Sequence, residues 1–219
     1  MASDTSPPRV AGVLLAAGGG RRLGGRPKAL LEDRGSPLVE HALRSLREGG
    51  CGPLHVVLGA GADRVRARAD LAGCVVTLNP DWERGMGSSL RLGLAALADT
   101  AADTPARDVT AADEAVDGSA DAALVLLVDQ PGIGAEAVAR VRSACRSRAD
   151  LIAAAYGGER GHPVLFGAQR WADVAAGAVG DKGAREYLRE HRDAIRLVEC
   201  SDVAQAYDID TPEDLSRLE

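Results

Sequence analysis

The stretch Ala11-Gly12-Val13-Leu14-Leu15-Ala16-Ala17-Gly18-Gly19-Gly20-Arg21-Arg22-Leu23-Gly24-Gly25-Arg26-Pro27-Lys28 decides how this chain is read. Its opening apolar run is the kind that fills a strand buried on both faces, and the glycines behind it stop that strand abruptly. Three successive glycines let the backbone approach a ligand with no Cβ in the way, and their amides, turned inward, suit a polyphosphate. Arginines and Lys28 then add positive charge. Two common phosphate motifs fail here: a P-loop needs Lys where Gly25 stands, and a dinucleotide fingerprint starting at Gly18 needs Gly where Leu23 stands.

Outward from this segment, short apolar runs recur at 54–58, 74–78, 124–128, 151–155 and 195–198. Between them lie stretches of helical period at 38–48, 62–71, 88–98, 135–148, 169–176, 184–191 and 212–218. The alternation predicts an α/β sandwich whose mostly parallel sheet is covered on both faces. The chain has 219 residues, 46% of them apolar and 3% aromatic, which suits one core, so residues 9–219 are expected to form a single domain behind a disordered, Pro-containing tail at 1–8. Residues 99–121 interrupt the pattern with six aspartates, Glu114 and one basic residue, Arg107, and are expected to be a solvated, mobile acidic insertion.

That window accounts for the whole formal charge of -6. The remainder is balanced, which argues against a nucleic-acid binder. No apolar run approaches the length of a membrane span, and the flanks of the first run are wrong for a secretory signal, so the reading is a cytoplasmic protein without a membrane partner. Cys51, Cys74, Cys145 and Cys200 are isolated, with no C-x-x-C pair and no histidine at ligand spacing, and are expected to be buried thiols of a reduced protein.

The candidate chemistry begins with Lys28. Only it and Lys182 are lysines among 26 basic residues, and Lys28 stands inside the Gly/Arg loop where a compact ammonium can bridge phosphate oxygens. The apolar run 124–128 delivers Asp129 at its carboxyl end, and ligands of open α/β sheets sit at the carboxyl ends of strands. Asp129 and Gly18 to Arg22 should therefore share one crevice. A carboxylate facing a polyphosphate needs a cation between them, and Mg²⁺ suits that gap; the alternative is that Asp129 merely opens a turn before Pro131. Thr211, Pro212, Glu213 and Asp214 read as a helix start, whereas Asp208 and Asp210 alternate with Ile209, so that one of them faces the crevice. Ser88 reads as a helix cap and leaves Ser89 free beside an amide cluster that attracts anions. His162, before Pro163, reads as structural or substrate-positioning, and there is no Ser-His-Asp signature.

L-A-A-G-x-x-x-R with P-K at 15–28, N-P-x-W-x-x-G-M-G-S-S-L at 79–90, D-Q-P at 129–131, G-H-P at 161–163, G-D-x-G-A-R at 180–185 and D-I-D-T-P-E-D-L at 208–215 together resemble the MobA-like nucleotidyltransferases, and among them the molybdenum-cofactor cytidylyltransferases. The resemblance implies a Rossmann-like three-layer sandwich of the nucleotide-diphospho-sugar transferase type. It also implies transfer of a nucleoside monophosphate from a triphosphate to a phosphorylated acceptor, with release of pyrophosphate. Carried onto this chain, Leu15, Ala16, Ala17, Gly18, Gly19, Gly20, Arg21, Arg22, Lys28, Asn79, Gly87, Ser88 and Ser89 would bind the nucleotide. Arg22, Lys28 and Asp129 would be catalytic, Asp129 and Asp210 would hold Mg²⁺, and His162, Asp181 and Arg185 would meet the acceptor. Ala17, where guanylyl-transferring relatives carry glycine, favours CTP. The implied acceptor is the molybdopterin cofactor, and the implied partners include proteins of molybdoenzyme maturation. The alternatives are GTP as donor, another acceptor such as a sugar phosphate, an alditol phosphate or a phospholactate-like acid, and a catalytically silent nucleotide-binding homologue.

Overall fold

Strand β1 (Val10–Ala16) is buried along its whole length because its two faces serve two cores. Val10, Leu14 and Ala16 belong to one, Ala11, Val13 and Leu15 to the other. The computed structural model describes residues 7–102 and 119–218. Residues 1–6 of the expected tail and 103–118 of the expected insertion lie outside the described residues.

After β1 come a small hairpin, β2 (Glu32–Asp33) and β3 (Ser36–Pro37), then α1 (Leu38–Glu48), β4 (Leu54–Leu58), α2 (Ala62–Arg68), β5 (Cys74–Leu78) and α3 (Met86–Ala102). The second half runs β6 (Ala122–Leu127), α4 (Ala135–Ser143), β7 (Leu151–Tyr156), β8 (Glu159–Gly167), α5 (Trp171–Gly177), α6 (Arg185–Glu190) and β9 (Arg196–Glu199). Seven strands form one sheet in the order β5-β4-β1-β6-β8-β7-β9. Pairs β4–β5, β1–β4, β1–β6 and β7–β9 are parallel, while β8 runs antiparallel to both β6 and β7. Leu38, Leu43 and Leu46 of α1 with Val138 and Val141 of α4 cover one face. Leu90, Leu94 and Leu97 of α3, with Val174 of α5 and Tyr187 and Leu188 of α6, cover the other. The result is the expected three-layer α/β sandwich.

From β1 the chain builds outward through β4 to β5, then crosses back by α3 to place β6 on the other side of β1. That reversal is a topological switch point, and loops diverge there to leave a crevice at the carboxyl ends of β1 and β6. The glycine loop follows β1 directly, and Asp129 follows β6 by two residues.

Strand β8 is absent from the sequence reading. Gly161 and Pro163 break its alternation, and proline normally belongs to an edge strand or a bulge. The structure reconciles this with a shift of register: Ala153 pairs with Val164 but Ala155 with Arg160, so the irregular stretch between absorbs Pro163. The segment at 212–218 is a 3₁₀ helix, Pro212–Arg217, rather than an α-helix. Both ends of the acidic window belong to the fold, since α3 continues to Ala102 and the Asp121 carboxylate accepts from the Arg9 amide at 2.9 Å and pairs with Arg148 at 3.1 Å. All four cysteines are free, and Cys51, Cys145 and Cys200 are buried. Among the described residues no helix is long and apolar enough to cross a membrane.

Candidate functional site

The three glycines behind β1 are glycine for three different reasons. Gly20 has φ 58°, and a Cβ there would lie 2.0 Å from the Arg26 carbonyl oxygen. Its own carbonyl accepts from the Leu23 and Gly25 amides at 2.8 and 3.0 Å, so the loop folds tightly back on itself. Gly19 is covered by Trp82, whose ring carbons would come within 2.8 Å of a Cβ. A Cβ added at Gly18 would meet nothing within 4 Å, so that side of its backbone faces open space. Of the three, Gly18 is the one left for a ligand to approach. The return of the loop brings the Lys28 amide 3.4 Å from the Gly18 carbonyl and sets the lysine over the end of β1.

There the Lys28 ammonium is clasped by two carboxylates. Its Nζ donates to Asp129 Oδ2 at 2.6 Å and to Asp210 Oδ1. The side chains of Lys28 and Asp129 are 12% and 21% exposed. Asp210 arrives from the far end of the chain, where the Ile209 amide donates to the Asp129 carbonyl at 2.9 Å and the Gln205 amide to the Gly132 carbonyl at 3.1 Å. Ile209 is fully buried, and the carboxylates on either side of it have separate partners: Asp208 accepts from Gln130 Nε2 at 2.8 Å, Asp210 from Lys28. The Asp214 carboxylate fixes the next turn by accepting from the amides of Asp210 and Thr211 at 3.1 and 2.9 Å. Both acids of the alternating stretch thus reach the crevice wall.

Burial pushes the Asp129 carboxyl above its usual range, Lys28 pulls it back, and Asp208 adds to the rise. Burial also works against the Lys28 ammonium, but the charge and hydrogen bonds of Asp129 and Asp210 together outweigh it and hold the lysine above its ordinary value. In both groups the partner's charge therefore opposes the effect of burial.

Two cavities meet at this triad. The smaller, about 380 Å³, is walled by Leu15, Ala17, Gly18, Gly19, Gly20, Arg21, Arg22, Lys28 and Ser89 of the residues singled out in the sequence, with Asp129, Asp181 and Asp210. The larger, about 580 Å³, is walled by His162, Asp181, Arg185, Lys28, Asp129 and Asp210, over an apolar floor of Leu90, Val125, Val164, Phe166 and Leu188. Arg21 and Arg22 are exposed and have no ion-pair partner among the described residues. Burial pushes the His162 imidazole down to about 4, with Asp208 pulling it up and Arg160 pushing it further down. It is neutral near pH 7, able to donate one hydrogen bond and accept another.

Four of the singled-out residues stand elsewhere. Ala16 turns its side chain into the core under α1. Asn79 is buried and donates both amide hydrogens, to Ser88 Oγ at 2.8 Å and Ser89 Oγ at 2.9 Å. Ser88 donates in turn to the Gly85 carbonyl at 2.8 Å, and a Cβ on Gly87 would meet the Ala178 backbone at 2.7 Å. Asn79, Gly87 and Ser88 therefore fix the start of α3 behind the cavity wall, and Ser89 alone of that group lines it. Missing from the sequence reading are Trp82, Glu83 and Met86 on the smaller cavity and Gln130, Arg160 and Lys182 on the larger. The aromatic of N-P-x-W was a usable signal for Trp82, because a large ring next to a glycine loop must pack on something. Arg160 offered none, since the strand carrying it was not seen.

The donor set suits a hard divalent cation. Two carboxylates from separate loops already share one positive charge, the Lys28 ammonium, beside a glycine-lined space where phosphate oxygens would supply further ligands. Among the described residues no group of three or more His, Cys, Asp and Glu converges, so an ion here would need oxygens from its substrate.

The MobA-like NTP transferase domain family matches residues 12–195. Over 222 aligned residues and 98% of each chain, the sequence is 40% identical to nicotine blue oxidoreductase of Paenarthrobacter nicotinovorans. It is 27% identical to molybdenum cofactor guanylyltransferase of Shewanella amazonensis over 96% of this chain and 95% of that one. Among solved structures it is similar to Rv0371c of Mycobacterium tuberculosis H37Rv in complex with manganese, with a TM-score of 0.71 and 26% identity over 96% of this chain and 97% of that one. The architecture is that of the nucleotide-diphospho-sugar transferase type.

Proposed function

The chain belongs to the MobA-like NTP transferases, and from that premise we propose that it moves CMP from CTP onto the phosphate of a molybdopterin-type acceptor, with Mg²⁺ held by Asp129 and Asp210 and pyrophosphate released. The observation that carries this reading is the meeting of two cavities, one glycine-lined with Arg21 and Arg22 on its wall, the other with a rim of mixed charge over an apolar floor, at Lys28, Asp129 and Asp210. Residues 9–219 act as one nucleotidyltransferase domain in this scheme.

The triphosphate lies along Gly18 to Arg22, where the open space at Gly18 admits it. The acceptor phosphate, a near-dianion at neutral pH, brings an oxygen to the α-phosphorus; the new P–O bond forms as the bond to the β-phosphate oxygen breaks, and pyrophosphate leaves with the electron pair. No side chain need take a proton from such a nucleophile. Lys28 and Arg22 follow the charge that builds on the transferred and leaving groups, Arg21 stabilises the departing pyrophosphate, and the neutral His162, with Asp181 and Arg185, orients the acceptor. Bound Mg²⁺ supplies neutralisation of the phosphate charge and alignment of the reacting oxygens. Ala17 puts a methyl on the donor wall, which supports the smaller pyrimidine over guanine. The likeness to a molybdenum cofactor guanylyltransferase supports the acceptor class, and the manganese complex of Rv0371c supports a divalent ion.

One observation favours a second reading: the 40% identity to a protein named as an oxidoreductase of nicotine blue. A single panel separates the two. The protein is incubated with each of the four ribonucleoside triphosphates and molybdopterin, and separately with nicotine blue and a reduced nicotinamide cofactor. Pyrophosphate release strongest with CTP is expected. Cofactor oxidation without any pyrophosphate release would replace the transferase reading with the redox one.

A further inference from the structure

Lys28 stands in the place the proposed function gives to a metal ion. Its ammonium lies between the same two carboxylates, 2.6 Å from Asp129 Oδ2 and in direct contact with Asp210 Oδ1, and is 12% exposed. Three positive charges cannot share that gap: a divalent ion seated on both acids would sit against the ammonium at a separation where like charges repel strongly. The lysine must leave before both acids can turn to an ion. Of the two anions the reaction brings, the acceptor phosphate and the triphosphate, the triphosphate carries the greater charge, and its track along Gly18 to Arg22 adjoins Lys28 in the smaller cavity.

Resting on the transferase reading above, we propose that Lys28 is a latch that makes metal binding wait for the nucleotide. Without nucleotide the ammonium closes the pair of acids. With nucleotide it swings onto the phosphates, and the freed carboxylates and the phosphate oxygens take the ion together. The arrangement keeps a bare divalent ion off a site it cannot use, and couples the two ligands through one side chain. Short charge-assisted hydrogen bonds hold it closed.

Mn²⁺ binding to the full-length protein, read by the electron paramagnetic resonance of free Mn²⁺, tests this without any turnover. Unliganded wild type is expected to bind Mn²⁺ weakly, and Lys28→Met, also unliganded, at least about tenfold more tightly, since two charge-assisted bonds no longer have to be broken first. Equal affinity of the two unliganded proteins would overturn the latch. A second measurement needs no change in the site. The chain has two lysines, so ¹³Cε-lysine labelling gives two resonances, and Lys182→Arg assigns them. Mg²⁺ alone should leave the Lys28 resonance in place, and a non-hydrolysable CTP analogue alone should move it. Movement saturating with micromolar Mg²⁺ alone would overturn the latch. Failure of Asp129→Ala to weaken Mn²⁺ binding in the presence of the analogue would instead overturn the metal role of these acids, and the latch with it.

Discussion

The cavity proposed for the donor is walled chiefly by backbone and charge, the one proposed for the acceptor chiefly by side chains. On the donor side Gly18, Gly19 and Gly20 offer peptide groups, and Arg21, Arg22 and Lys28 offer charge within one short loop. On the acceptor side Val125, Val164, Phe166 and Leu188 come from three separate elements, and the polar rim of Arg160, His162, Asp181 and Arg185 from two segments. A phosphate chain has the same shape in every nucleotide, so a local loop suffices to hold it. An acceptor is particular, and its pocket is assembled from distant parts. The largest test of this division is kinetic. Asp129→Ala, at the point the cavities share, should lower turnover by at least about 10²–10³. Arg185→Ala should raise the acceptor KM about tenfold and leave the nucleotide KM unchanged. Steady-state pyrophosphate release with each substrate varied checks both, and an equal rise in both KM values for Arg185→Ala would break the division.

The same contrast explains what could be read from the amino acids. The glycine loop and Asp129 were legible because each lies next to a strong apolar strand, where sequence neighbours are also neighbours in space. Lys28 was legible through its rarity. Asp210 was half legible: alternation with Ile209 announced a carboxylate at the crevice, but Asp208 met the same description, and only the backbone bond from Ile209 to Asp129 fixes which partner each acid takes. Strand β8 was illegible because Pro163 and Gly161 sit where its register shifts, and with it went Arg160 and the floor residues Val164 and Phe166. Asn79 and Ser88 were legible as polar residues around the start of α3, and their polar atoms are spent on each other and on the Gly85 carbonyl behind the wall.

A second test works inside the donor loop, where neighbouring glycines do different jobs. Gly20→Ala must relieve both a left-handed backbone and a Cβ 2.0 Å from the Arg26 oxygen. It should cost about 1–3 kcal/mol of stability or refold the loop, with nucleotide binding lost as a consequence. Gly18→Ala meets no atom within 4 Å and should stay within about 0.5 kcal/mol of wild type while still weakening the nucleotide, because its methyl would occupy the ligand's space. Denaturant unfolding alongside nucleotide titration distinguishes them. If Gly18→Ala binds nucleotide as wild type does, the open face of the loop is not where phosphate lies.

The smallest expected effect concerns acid, and of the two cavities it touches the larger. His162 is held down to about 4 by burial, with Asp208 and Arg160 acting on it in opposite directions, and burial also lowers His55, which is fully buried with neither ring nitrogen hydrogen-bonded. A histidine whose folded pKa lies below its unfolded value of about 6.5 contributes stability that is complete above that value and declines as pH falls through the window toward 4, because only the unfolded chain readily takes up the proton. Thermal unfolding should therefore shift down between pH 7 and pH 5, and His162→Gln should recover part of that shift, about 3 °C, with His55 retaining the rest. Nucleotide binding by His162→Gln should keep the pH profile of wild type, since the imidazole lines the larger cavity only. A variant whose nucleotide affinity changed with pH along with its stability would mean that the two halves are not separable at the triad. The lysine and the two acids would then have to be treated as one element spanning both substrates rather than as the seam between them.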